Sequence, residues 1–205
     1  MDELELLKKD WKKQEKNLPH IEAQEIYPIL LKKSSSIVKW IFFISLGELA
    51  LGVFLNVFLA DSEYWKTVED IHLKNGFIVF YIVSYAITLF FIYKFYKRYK
   101  AISTTDSAYL LMKNILKTRK IVKYYIFYVL ASSAITAFVT FIFTLLYSSD
   151  FDNIREDMNW PKAIGFGLLV IIIFVVVLWL IYSLLYGILL KKLHRNYKEL
   201  KRLEL

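Results

Sequence analysis

Apolar and polar residues come in blocks along this chain. Four stretches stay apolar for about twenty residues or more: Ile37–Ala60, Gly76–Tyr96, Ile121–Tyr147 and Ala163–Leu190. A bilayer core about 30 Å thick takes ~20 apolar residues at the helical rise, so each stretch is long enough to cross it. The third and fourth, with 27 and 28 residues, leave room for tilt or a projecting end.

The charged segments between them carry a helical period of their own. In residues 2–17, DELELLKKDWKKQEKN, Leu4, Leu7 and Trp11 share one face opposite five lysines, and Asp2 followed by Glu5 reads as a start signal. Such a face suits either the lipid headgroups or a protein partner. Asn17-Leu18-Pro19 ends the pattern. A second amphipathic segment, 21–36, follows, with Pro28 limiting its first turn or kinking it. Lys32 and Lys33 at its end are placed for anionic lipid heads. Ser103-Thr104-Thr105-Asp106 reads as the start of a third such helix, continued by Tyr109, Met112 and Leu116 into the third span. The tail KKLHRNYKELKRLEL extends the fourth helix.

The fold class predicted is an all-α membrane protein of four transmembrane helices. Its parts are an N-terminal amphipathic segment (1–36), a first transmembrane hairpin (37–96), a basic helical linker (97–120), a second hairpin (121–190) and a basic tail (191–205). Composition agrees. The chain is 57% hydrophobic, above the 45–50% of soluble domains, and has few Gly or Pro to break long helices. It has no Cys, which excludes disulfides, thiolate metal sites and a cysteine nucleophile.

Charge supplies orientation. Of the 27 Lys and Arg residues, 23 lie in the N-terminal segment through Lys39, in Lys94–Lys123, or from Lys191 onward. The loops Asp61–Asn75 and Ser148–Lys162 hold two each and are acidic instead. The positive-inside rule therefore predicts both termini and the central loop in the cytoplasm. It also explains the net charge of +8 without nucleic acid. Trp65 and Trp160 fall at the outer boundary and Trp40 at the inner one, as an aromatic belt requires. The polar first 36 residues place no apolar core near the terminus, so the first span is expected to act as an uncleaved signal anchor.

A shift of 84 residues superposes the first and third spans. KSSSIVKW meets KTRKIVKY, and seven of 24 positions from Ile37 onward are identical. Glu48, Gly52, Asn56 and Ala60 then align with Ser132, Thr136, Thr140 and Thr144, two stripes of small and polar residues at every fourth position. Two parallel-repeat hairpins related by an axis along the membrane normal would produce this register. Since lipid gives apolar helices no drive to associate, the stripes are the expected contact faces of spans one and three.

Glu48 is the one carboxylate inside a span, and a charge at mid-bilayer costs ~3 kcal/mol or more. The midplane polar set is Glu48, Gly52, Asn56, Ser84, Tyr85, Ser132, Thr136 and Thr140. Within it, Ser84, Tyr85, Ser132 and Thr136, together with Ser133, are the expected partners of the carboxyl. Three roles are open to Glu48: a neutral acid bridging helices, a pair for a basic group on another subunit, or a proton, cation or substrate site. The fourth span, apolar from Leu168 to Val177, is expected to form the lipid-facing wall.

Catalytic chemistry is not indicated. The three histidines, His20, His72 and His194, lie in separate regions, and no HExxH, GxSxG, Walker-type loop or GxGxxG occurs. The expectation is a non-enzymatic scaffold or regulatory subunit with no cofactor or metal, binding lipid and a protein partner or a second copy. The alternative is a small transporter or channel using Glu48.

At Glu3–Trp11, ELELLKKDW, and Lys32–Trp40, KKSSSIVKW, the chain resembles small four-span membrane proteins of flavobacteria and related Bacteroidota. The resemblance implies the same four spans. Proteins of that group often carry an automatic label of carotene monooxygenase. Soluble carotenoid oxygenases hold iron with four histidines, and this chain has three.

Overall fold

The computed structural model describes residues 4–5, 7–9, 23–105, 107–153 and 155–203. Among these the chain is helical throughout its ordered elements, with no strand. The first long helix, α1, runs Ala23–Leu59, and a short α2 spans Ser62–Asp70. They are followed by α3 (Lys74–Ser103), α4 (Ala108–Tyr147) and a 3-10 turn, Ser149–Phe151. A last rod is built from α5 (Trp160–Tyr182), a π-helical turn (Ser183–Gly187) and α6 (Ile188–Leu203). Four of these rods are long and apolar enough to cross a membrane. They define a multi-pass helical membrane protein.

The segments expected as separate amphipathic helices are continuous with the spans they lead into. Pro28 lies inside α1 rather than ending it, at the cost of one backbone hydrogen bond. The helix after the basic linker begins later than the sequence suggested. Ser107 is its cap, its hydroxyl accepting from Leu110 N at 3.3 Å. The hydroxyls of Ser103 and Thr104 donate instead to Lys100 O, 2.9 Å each, and that of Thr105 to Ala101 O. Ser and Thr satisfy carbonyls one turn back as readily as they open a helix. Here they close α3. The expected N-terminal helix lies mostly outside the described residues, Trp11 included; Leu4 and Leu7 are exposed.

The bundle has two unlike ends. At the basic end, where the Lys- and Arg-rich segments gather, all four rods meet in a close-packed core of Leu30, Val38, Ile102, Leu111, Ile115, Leu193 and Leu200. A second layer, Ile41, Phe95, Val122, Tyr125, Tyr186 and Leu190, sits above it. Polar groups in these layers are paired: Asn196 donates to Ser34 Oγ at 3.0 Å, and Tyr27 Oη to Thr105 O at 2.7 Å. Leu30, Leu111, Ile115, Leu193 and Leu200, all from the helix extensions, are part of this core, so the extensions help pack the bundle.

Toward the acidic end the rods separate. α1 packs along α3, α3 along α4, and α4 along α5, but the ring is closed by contact between α1 and α6, not between α1 and α5. Loop contacts hold this end instead. The Asp70 carboxylate accepts from Ser149 N and Oγ at 3.3 and 3.2 Å, tying the two acidic loops together. Arg155 donates to Leu145 O (3.2 Å) and Ser148 O (2.6 Å), satisfying carbonyls at the C-terminus of α4. The α5 face from Leu168 to Val177 is largely exposed, as a lipid-facing wall would be.

Candidate functional site

Where the rods begin to part, side chains of two other rods converge on Glu48 of α1. Tyr125 of α4 donates to Glu48 Oε2 at 2.6 Å, and Tyr186 of the π-helical turn donates to the same oxygen at 3.1 Å. Tyr125 and Tyr186 are 2% and 0% exposed. Their rings are wedged among aromatics: Tyr125 stands edge-on to Phe95 (5.5 Å, 90°), and Tyr182 stacks on Tyr186 (5.8 Å, 10°). The other carboxyl oxygen, Oε1, is buried without a hydrogen-bond partner among the described residues.

The π turn matters to this geometry. A π turn widens the helix locally, changing where the side chains in it point, and such turns recur at functional sites. In this chain one occurs where the helix places Tyr186 on the carboxyl. Two phenol donors on one oxygen offset the cost of negative charge there, since hydrogen bonds to charged groups are the stronger kind. A carboxyl oxygen without a donor can carry the proton of the neutral acid or accept from a cation.

Above Glu48, one turn or ~6 Å along α1, lies a cavity of ≈ 470 Å³. Gly52, Asn56, Ser84, Tyr85, Ser132 and Thr136 all line it. Spans one and three therefore do not meet along their small-residue stripes. The stripes face each other across open space, because the α1–α4 pair is a diagonal of the bundle and packs only slightly. Asn56 Nδ2 donates to Tyr85 Oη (2.9 Å) and to Gly52 O (2.9 Å) on one wall. Ser132 and Thr136 on the other wall donate to carbonyls of their own helix. The expected partners of Glu48, namely Ser84, Tyr85, Ser132, Ser133 and Thr136, are thus cavity-lining groups and not bonded to it. Thr140 lines a neighbouring cavity of ≈ 210 Å³ that shares Phe80 and Thr136 with the first.

A third cavity, ≈ 200 Å³, shares Asn56 and Tyr81 with the main one and reaches Leu59, Ala60 and Tyr64 near the acidic end. Tyr64 and Tyr81 meet there, Oη to Oη, at 2.9 Å. Polar cavities thus lie along the bundle from Gly52 toward the acidic end, and the aromatic layer around Tyr125 and Tyr186 is close-packed. Lys32 and Lys33 stand at the other end of the molecule, in a groove between α1 and α6.

Sequence reasoning singled out Glu48 but not its tyrosines. In the 84-residue register Tyr125 falls opposite Ile41, not opposite a polar residue, and Tyr186 lies in an apolar run. A signal was available: Tyr124, Tyr125 and Tyr128 in the third span and Tyr182 and Tyr186 in the fourth place five phenol donors inside apolar runs.

A four-rod helical membrane bundle with a tyrosine-clamped carboxyl under a polar cavity is the class these features define. The family model described as Domain of unknown function (DUF8845) matches residues 24–205. The chain belongs to that family. No curated protein and no solved structure matches it.

Proposed function

We propose that this protein is a non-enzymatic inner-membrane protein of a bacterium, a small transporter or channel whose intramembrane chamber binds a cationic or proton-donating solute over Glu48. One observation carries this reading. Polar side chains from three spans line one cavity that reaches Gly52, and Glu48, one helical turn before Gly52, keeps a buried carboxyl oxygen without a hydrogen-bond partner among the described residues. In lipid, polar side chains gathered from several helices are costly and recur where they line water or a ligand path. The π turn at Tyr186 adds weight, since such turns recur at functional sites. The basic residues support an orientation with both termini in the cytoplasm, so the chamber would face outward. The 84-residue register supports a parallel repeat, with one half having kept the carboxylate and the other a hydroxyl.

The test is ion flux in liposomes. Wild type should carry a proton or cation current that Glu48→Gln abolishes and that Tyr125→Phe alters in its pH dependence. Identical behaviour of Glu48→Gln and wild type ends the reading.

The scaffold reading rests on a different observation, the exposure of Leu4 and Leu7. It requires a protein that co-purifies in mild detergent and is lost on deleting residues 1–20.

A further inference from the structure

At the basic end, α1 and α6 flank a groove of ≈ 530 Å³ whose walls carry Lys32 and Lys33 on one side and Lys192 and Arg195 on the other. Ser36 and Asn196 add hydrogen-bonding groups. Asn196 is buried and held in place through Ser34, so it forms a fixed polar floor, not a mobile surface chain. One carboxylate, Glu199, lies at the rim, and it is already engaged by Arg195 Nε at 2.9 Å. Four cations against one carboxylate leave a net +3 around the groove. Like charges gathered around one groove repel, and an anion between them relieves that repulsion.

Depth identifies the anion. Trp40, one turn further along α1 than Ser36, is 60% exposed, and Lys39 beside it lies over the Phe43 ring. A tryptophan presented outward at the end of a span is characteristic of the bilayer interface. The groove is therefore at headgroup level, next to an exposed apolar helix surface on which acyl chains can lie.

We propose that the groove between α1 and α6 binds the phosphate headgroup of an anionic phospholipid from the leaflet at the basic end. Phosphate oxygens accept from Lys32, Lys33, Lys192 and Arg195, and the Asn196 amide fixes the headgroup's position. This does not depend on the role of Glu48. By bridging α1 and α6, the lipid reinforces the contact that closes the bundle at this end.

The experiment uses the full chain in mild detergent, titrated with phosphatidylglycerol or phosphatidylcholine and read by native mass spectrometry. Wild type should retain phosphatidylglycerol in preference to phosphatidylcholine. The pair Lys192→Gln with Arg195→Gln should weaken phosphatidylglycerol retention about ten-fold. Glu199→Gln should strengthen it. Lys66→Gln with Lys162→Gln removes the same charge from exposed residues at the acidic end and should change nothing. The single exposed substitution Lys32→Gln repeats the test on the opposite wall if the pair fails to fold. Equal retention by the groove variants and wild type overturns the proposal, as does an equal loss in the Lys66 and Lys162 control. Full displacement of the lipid by millimolar inorganic phosphate also overturns it, since the site would then take free phosphate.

Discussion

The tyrosine clamp can be tested through the dependence of Tyr125 on Glu48. Tyr125→Phe removes the 2.6 Å donor to Oε2 but leaves the ring and its contacts with Phe95 and Phe91 in place. A hydrogen bond to a charged group contributes ~1.5–3 kcal/mol in soluble proteins. Inter-helix bonds in membranes average nearer ~0.6 kcal/mol and reach ~1.7, because the unfolded chain in lipid also finds partners. Tyr186 donates to the same oxygen at 3.1 Å and would absorb part of the loss. The expected cost is then about 1 kcal/mol, toward the upper half of the membrane range. In a Glu48→Leu background the sign should change: the phenol is a buried donor without an acceptor, so Tyr125→Phe becomes neutral or stabilising. The coupling energy of the cycle is thus about 1 kcal/mol or more, above the ~0.3–0.5 kcal/mol scatter of independent sites. Reversible unfolding in mixed micelles, followed by circular dichroism, measures it. Additive single and double variants would refute the clamp. So would an equal loss from Tyr124→Phe, a neighbouring tyrosine that is 55% exposed.

Three further outcomes follow from the packing. A Cβ on Gly167 would overlap the Phe141 ring, so Gly167→Ala should force α4 and α5 apart and lower stability by ~1–3 kcal/mol in the same unfolding assay. Asn196→Ala should cost ~1–3 kcal/mol by stranding the fully buried Ser34 hydroxyl, and adding Ser34→Ala should recover part of that loss. Since the chain has no Cys, a single Ser132→Cys reports directly on the chamber: a small water-soluble maleimide should label it, and Val122→Cys, packed in the core, should stay unlabelled.

The four rods were legible in the chain because crossing a bilayer is a requirement on length and local composition, and both are written in consecutive residues. The midplane set was legible for the same reason: Glu48, Asn56, Ser84, Ser132 and Thr136 stand out in apolar runs, where polarity is expensive. Their mutual arrangement was not. Periodicity tells which side chains share a face of one helix, but not which helix lies opposite, so two stripes read as a contact became two walls of a cavity. The contact of α1 with α6 instead of α5, which opens the acidic half, arises from packing at the basic end. Likewise Tyr125 and Tyr186 became partners of Glu48 only through tertiary placement, aided by a π turn whose extra width no hydrophobic period records. Composition along the chain determined that it crosses a membrane and where. The side-by-side order of the helices alone decided that Glu48 lies under a polar chamber and that four cations meet across one groove, because both sites are made of residues brought together from distant parts of the chain.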